Sequence, residues 1–151
     1  LKKVLNTRST DGKAVMLKFL EDSRAVIESI PSCVFALRGI LGLDFRIWTR
    51  ILEAGTGAGF TYEEVMKIGE RIRTVERSFI VKNGYRREHD AIPRRMREEP
   101  VPSCNYGPLT QESLDKMLDE YYALYGWDNQ GVPTKETLER LGLDKEPSHM
   151  L

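Results

Sequence analysis

The stretch of residues 60–84 constrains the fold most, because it contains the start, the apolar face and the end of one amphipathic helix. Thr61 and Glu64 form a T-x-x-E capping box at the start. Asn83-Gly84 provides the left-handed residue that ends the helix. Between these signals, apolar residues recur at helical spacing, at Val65, Ile68, Ile72, Val75 and Phe79. The pattern predicts one long helix that packs a single face against a core.

The other periodic stretches are helical as well, and no run of alternating apolar and polar residues predicts a strand. The spacing predicts helices over residues 13–30, about 33–54, 110–125 and 134–141. The first of these carries Val15, Phe19, Val26, Ile27 and Ile30 near one face. The signals at the helix ends are Pro31, Asp44, the Gly-rich segment 54–59, Thr110, Gly126, Thr134 and Gly142. We therefore predict an all-α fold, a multi-helical orthogonal bundle of about five to seven helices.

Residues 85–109 contain four of the seven prolines and two groups of arginines. This composition predicts a long, irregular, extended connection between helices. Residues 144–151 carry no periodic pattern and are expected to fray. We expect one helical domain over residues 1–151, and the absence of an initiator Met favours a fragment of a larger protein.

Composition excludes several classes of function. The chain has 23 basic and 23 acidic side chains, so it has no net field to attract nucleic acid or an anionic membrane. No stretch approaches the roughly 18 apolar residues of a membrane span, and the first residues lack the apolar core of a signal peptide. Two cysteines are too few for a disulfide scaffold. We expect a cytoplasmic protein.

The arginines of the connection lie among acidic residues. Arg86-Arg87 and Arg94-Arg95-Arg97 are interleaved with Glu88, Asp90, Glu98 and Glu99, which removes most of the positive field. The stacking aromatics of a nucleic-acid platform are missing, so we expect no nucleic-acid partner. On the preceding helix, Arg71 and Arg77 are expected to contact carbonyls or carboxylates of the loop in a structural role.

No complete catalytic motif is present. The sequence lacks the metal, phosphate-loop, dinucleotide and nucleophile-elbow patterns, and GTGAG at 55–59 follows a helix instead of a strand. His89-Asp90 could form an acid-base dyad, but no nucleophile lies at a readable spacing. The residues alone predict a helical domain without a complete active site.

Four stretches, taken together, resemble a known family. They are IGERI (68–72) with VERSF (75–79), NGYRREHDAIPRR (83–95), LDKMLDEYYALYGWDNQGVPT (114–134) and LERLGL (138–143). In order and spacing, residues 12–143 are similar to the C-terminal helical domain of the tungsten-containing aldehyde:ferredoxin oxidoreductases. On this resemblance the ion pairs of the arginine-rich segment are architectural, with Asp90 and Arg71 as a candidate pair.

The resemblance implies a site shared with other domains. Family members hold tungsten between two pterins (molybdopterin) beside a [4Fe–4S] cluster, and a D-x-x-G-L-C motif in this last domain supplies a pterin contact and the fourth cluster cysteine. The corresponding stretch here runs from Glu28 to Cys33 and is followed by Val34-Phe35-Ala36. The resemblance therefore implies that Cys33 is the fourth cluster ligand and that Glu28 takes the pterin-contact position.

The motif departs from the family at three positions. Glu28 replaces Asp, Pro31 replaces Gly and Ser32 replaces Leu. Pro removes backbone freedom and an N–H donor at a position where Gly permits close approach to a cofactor. These changes favour an alternative, a cofactor-free helical module for protein interactions that keeps the family scaffold.

The implied reaction is oxidation of an aldehyde to a carboxylic acid, with electrons passing through the cluster to ferredoxin. A [4Fe–4S] cluster takes four ligands, and this chain has only Cys33 and Cys104. The resemblance thus implies an oxidoreductase in the full-length protein, and no cofactor and no activity in the isolated fragment. The expected partners are the preceding domains, ferredoxin and, through an apolar surface near Cys33, a second copy in a homodimer.

Overall fold

The computed structural model describes residues 6, 9–30, 33, 35, 45–100 and 108–145. These residues form six α-helices and one 3₁₀ turn. The helices are α1 (Lys13–Ser29), α2 (Phe45–Thr56), α3 (Tyr62–Lys82), α4 (Arg94–Glu98), α5 (Gln111–Tyr125) and α6 (Lys135–Leu141), and the 3₁₀ turn is Arg87–His89. The described part of the chain contains no strand, only one isolated bridge between Trp127 and Pro133. The all-α, multi-helical class is confirmed.

The helix ends form where the sequence predicts them. Thr61 N donates to Glu64 Oε2 at 2.8 Å and Glu64 N donates to Thr61 Oγ1 at 3.2 Å, which completes the capping box. Thr110 and Thr134 cap α5 and α6 through their side chains. The predicted glycine stops all have positive φ, at Gly84, Gly126 and Gly142. Local capping chemistry therefore determines most of the element boundaries.

The chain divides into two compact units, Leu1–Lys18 with Arg77–Leu151, and Phe19–Glu76. The core of the second unit is a cluster of Val26, Ile27, Trp48 and Val65. Within this unit α1 and α3 come close at Gly69, where a Cβ would lie 2.7 Å from the Asp22 carbonyl carbon. Gly69 therefore permits the backbones of the two helices to approach.

The core of the first unit is aromatic. Tyr122, Tyr125 and Trp127 are buried together, and the Tyr125 and Trp127 rings stack at 4.6 Å between centroids. Leu141 and Leu143 are also buried in this unit, at 2% and 3% exposure. Tyr122 and Tyr125 lie in the last turn of α5 and Trp127 follows it, so this core forms at the end of the helix.

Several predicted details differ. Val15 and Phe79 were expected on apolar faces, but they are 56% and 62% exposed. The buried positions in the second half of α3 are polar instead: Thr74, Arg77 and Ser78. The buried side of α3 therefore changes from apolar to polar along the helix: Phe79, which periodicity placed on the apolar face, is exposed, and Arg77 is buried instead.

The connection after α3 is not extended throughout. The 3₁₀ turn Arg87–His89 and helix α4 lie in it, and its residues 101–107 lie outside the described part. Helix α2 continues through Thr56 to a stop at Gly57, which has φ +74°. The predicted N-cap Asp44, residues 36–44 of the second helical region and the tail from 146 onward are also outside the described residues.

Candidate functional site

A buried arginine, Arg77, lies in the last two turns of α3. Its Nη1 and Nη2 donate to the Asp90 carboxylate oxygens at 2.9 and 2.7 Å. Its Nε donates to the Gly131 carbonyl at 2.7 Å. A bidentate pair of this kind matches the planar fork of the guanidinium to both carboxylate oxygens. Arg77, only 6% exposed, thereby joins α3 to the connection and to the turn after α5.

Aromatic rings surround this arginine. Its Cζ lies 5.5, 5.6 and 5.2 Å from the ring centroids of Tyr85, Tyr122 and Trp127, within the range of cation–π attraction. The Tyr122 hydroxyl also donates to Asp90 Oδ2. We call this set of residues the Arg77 clasp, and its members are Arg77, Tyr85, Asp90, Tyr122, Trp127 and Gly131.

Two effects shift the pKa values of the clasp residues, namely burial of the side chains and the nearby carboxylate of Asp90. Burial lowers the pKa of Arg77, but the hydrogen bonds and the charge of Asp90 outweigh it, so the pKa is raised above its ordinary value. Burial raises the pKa of Tyr122, and the hydrogen bond to Asp90 raises it further. The cation stays charged and the phenol stays neutral across the physiological range.

Gly131 fits closely against the clasp. Its φ is +72°, and an added Cβ would lie 2.9 Å from Tyr122 Cζ and 3.0 Å from Arg77 Cζ, and closer still to Arg77 Nη2. Only glycine allows both this backbone conformation and this approach. Sequence reasoning missed the contact of Gly131 with Arg77, because the contact joins positions 54 apart.

A second arginine fixes the start of the connection. Arg87 Nη1 donates to Asp119 Oδ1 at 2.6 Å, and Nη2 donates to the Asp115 carbonyl at 3.1 Å. Its backbone N donates to the Gln130 carbonyl at 3.1 Å. The exposed arginines of α4 form i,i+4 pairs with nearby glutamates, Arg94 with Glu98 at 2.6 Å and Arg95 with Glu99 at 3.1 Å. These arginines are bonded within the chain, as the interleaved acids predict.

The structure corrects one predicted pair and gives no support to the dyad. Asp90 pairs with Arg77, not with Arg71, because Arg77 is the arginine of α3 that faces inward at this level. The Asp90 carboxylate is bonded to Arg77 and Tyr122, whereas the ring of His89 contacts Tyr85 and the Arg86 backbone. His89-Asp90 therefore lacks the mutual hydrogen bond that an acid-base dyad requires.

The two predicted cofactor residues lie at and just after the end of α1, and both are exposed. Glu28 lines a shallow cleft of about 250 Å³ together with Arg24 and Arg73, among others. Arg24 Nε donates to Glu28 Oε1. Cys33 is an exposed free thiol, while Pro31, Ser32 and Cys104 lie outside the described residues.

The donor set fits one part of a shared site. A free, exposed thiol can become a thiolate ligand, and the exposed Glu28 carboxylate can accept hydrogen bonds from a pterin. Among the described residues, no three His, Cys, Asp or Glu side chains form a group that could hold a metal. In the described segments, no helix combines the length and the apolar character needed to cross a membrane.

Comparison with known proteins identifies the family of the chain. Residues 1–143 match the family described as aldehyde ferredoxin oxidoreductase, domains 2 & 3, and the chain belongs to this family. The tungsten-containing aldehyde ferredoxin oxidoreductase of Pyrococcus furiosus is 40% identical over 136 residues, which are 89% of this chain and 22% of that protein. The enzyme of the same name from Thermococcus kodakarensis is 37% identical over 136 residues, again 89% and 22% of the two chains.

A solved structure shows the same fold. The active site complex BamBC of benzoyl coenzyme A reductase, in complex with 1,5-dienoyl-CoA, superposes with a TM-score of 0.72 at 27% identity. The match covers 92% of this chain and 20% of that one. The chain therefore spans about a fifth of the length of the proteins it matches.

Proposed function

We propose that this chain is the C-terminal part of a tungsten-pterin, iron–sulfur aldehyde ferredoxin oxidoreductase, and that Cys33 supplies the fourth cysteine ligand of a [4Fe–4S] cluster. The family match over residues 1–143 carries the proposal. The exposed free thiol of Cys33, four residues after the end of α1, is consistent with it. The other three ligands would come from the preceding domains, so we expect the isolated chain to hold no cofactor and to be inactive.

The cofactors supply the oxidation of an aldehyde to a carboxylic acid and the transfer of electrons towards ferredoxin when they are bound. The residues of this chain would hold and orient them. The Cys33 thiolate would hold one corner of the cluster, and its burial against the preceding domains would influence the reduction potential. The Glu28 carboxylate would accept hydrogen bonds from a pterin. The Arg77 clasp has no part in the chemistry, and it keeps the connection and the turn after α5 in place.

The second candidate is a cofactor-free interaction module on the same scaffold. Pro31 and Ser32 favour it, because they replace the Gly and Leu of the family motif next to Cys33. In that case the exposed thiol would have no ligand role, and loss of the thiol would change neither metal content nor colour.

The test is metal analysis and an ultraviolet–visible spectrum of the anaerobically purified full-length protein. It compares the parent with Cys33→Ser and with Cys104→Ser, the other cysteine of this chain, as the matched control. We expect iron and tungsten in the parent, iron and cluster absorption reduced in Cys33→Ser, and both unchanged in Cys104→Ser. Full iron in Cys33→Ser would show that Cys33 is not a ligand. A parent without iron or tungsten would favour the interaction module.

A further inference from the structure

Glu28 lies near the C-terminus of helix α1, where the helix dipole disfavours an acidic side chain. It is the penultimate residue of α1, whose last turn contains no basic residue, and a negative charge near a helix C-terminus opposes the helix dipole. Its partner Arg24 precedes it by four positions, which is the less favourable order for an acid–base pair on a helix. The pair is therefore expected to contribute little to the stability of α1.

The charges of the cleft beside Glu28 divide into two sets. Arg73 pairs with Glu21 at 3.1 Å and also with Glu76. Arg24 pairs with Glu28. Because Arg73 engages the other two carboxylates, Arg24 is available to Glu28.

The geometry of the pair leaves one carboxylate oxygen for a ligand. Arg24 Nε donates to Oε1 of Glu28, and among the described residues Oε2 has no hydrogen bond. Both side chains line the same cleft and are about half exposed, at 41% for Arg24 and 52% for Glu28. A carboxylate has about four lone-pair sites, so the bond to Arg24 does not prevent Glu28 from accepting others.

A glutamate gains more than an aspartate from a neighbouring residue that fixes the conformation of its side chain. Glu28 has one more methylene than the aspartate of the motif it resembles, and therefore one more torsion to fix when it binds. An arginine one turn earlier on the same face can fix that torsion before binding, which reduces the entropy cost. We propose that Arg24 is a positioning residue, which orients the Glu28 carboxylate towards the pterin. This inference rests on the function proposed above.

The experiment measures pterin retention in the full-length protein, without any assay of turnover. The rate of pterin release at a fixed, mild urea concentration is followed by the fluorescence of the oxidised pterin. The variants are Glu28→Ala, Arg24→Gln, Arg24→Lys, Glu28→Asp and the double variant Arg24→Gln/Glu28→Asp. Arg73→Gln, which removes the other arginine of the cleft, is the matched control.

We expect Arg24→Gln to release pterin about three- to tenfold faster than the parent, the range that corresponds to ordering one side chain. Arg24→Lys should restore most of the retention, and Arg73→Gln should release pterin at the parental rate. In the Glu28→Asp background, Arg24→Gln should have no further effect, because the shorter side chain has no extra torsion to fix.

The outcomes separate this inference from the proposed function. A parent without pterin, or Glu28→Ala with parental release, would overturn the pterin contact itself. Fast release from Glu28→Ala with parental release from Arg24→Gln would overturn only the role of Arg24. Equal effects of Arg24→Gln in the parent and in the Glu28→Asp variant would show general support of α1 and would also overturn the positioning role.

Discussion

The Arg77 clasp and the Glu28–Cys33 segment differ in the environment of their polar groups: Arg77 is buried and bonded within the chain, whereas Glu28 and Cys33 are exposed. In the clasp, a guanidinium at 6% exposure has three protein acceptors and an aromatic surround. At the end of α1, a carboxylate has one bond to an exposed arginine, and the free thiol that follows is exposed. A buried polar group must be satisfied within the chain, whereas an exposed one remains available to a group supplied from elsewhere.

This difference distinguishes residues that stabilise the fold from residues that are available to bind a cofactor. The clasp is complete without a ligand, so its loss should reduce stability. The side chains of Glu28 and Cys33 are exposed and contribute little to the described packing, so their loss should affect cofactor retention and leave stability nearly unchanged. Four predictions test this contrast by urea unfolding of the chain, followed by tryptophan fluorescence.

The largest effect should come from Arg77→Met. The change leaves the Asp90 carboxylate and the Gly131 carbonyl without their main donor in a poorly solvated place. Removing one partner of a buried ion pair costs about 3–5 kcal/mol. Arg71→Gln is the matched control, because this exposed arginine of α3 is expected to matter by less than about 0.5 kcal/mol. Equal effects at the two positions would contradict the clasp.

The second prediction concerns backbone fit. Gly131→Ala forces a Cβ against Tyr122 and Arg77 at a φ of +72°, and we expect a loss of about 2–4 kcal/mol from strain and overpacking together. Gly142→Ala has nearly the same φ, +67°, but no atom within 4 Å of its Cβ. It should lose only about 1 kcal/mol from backbone strain. The difference between the two variants measures the close fit at the clasp.

The third prediction concerns Tyr122→Phe, which removes the hydroxyl that donates to Asp90. At neutral pH we expect a loss of about 1 kcal/mol. The folded chain raises the pKa of Tyr122 above its ordinary value of 10.0, so the unfolded chain loses this proton first as pH rises. Stability from Tyr122 is therefore complete below about pH 10 and falls above it.

The measurement is the free energy of unfolding between about pH 8 and pH 11 for the parent and for Tyr122→Phe. The parent should lose stability more steeply than the variant above about pH 10, because only the parent carries this phenol. Parallel curves over the whole range would contradict a hydroxyl that the fold holds protonated.

Local signals made much of the fold predictable. The capping box at Thr61 and the glycine stops at Gly84, Gly126 and Gly142 act within one turn of the chain, so a short window of sequence contains them. The clasp could be predicted only in part, because its bonds join residues 13, 32 and 54 positions apart. The three arginines of α3, at positions 71, 73 and 77, look alike in sequence, and only the packing of the folded chain shows that Arg77 is the buried one.

The prediction of Cys33 and Glu28 as site residues depends on a different kind of signal. Cys33 and Glu28 make almost no described contacts that packing would impose, so periodicity gives them no role. Their assignment came from resemblance to a family motif. No sequence pattern distinguished Arg24, because i,i+4 pairs of charges are common on helix surfaces. Only the structure shows that Arg24 and Glu28 line the same cleft.

The smallest effects should be those of Cys33→Ser and Glu28→Ala on stability. Both side chains are exposed, and the pair that Glu28 makes with Arg24 is a surface pair of the kind that contributes about 0.3–0.5 kcal/mol. We expect each variant to unfold within about 0.5 kcal/mol of the parent, while in the full-length protein the same changes reduce iron or pterin retention. A loss above about 2 kcal/mol from either change would mean that the segment is structural after all. Because the exposed thiol and carboxylate at the two motif positions are expected to contribute little to folding, loss of cofactor with nearly unchanged stability is the combination that distinguishes a binding site from a structural segment.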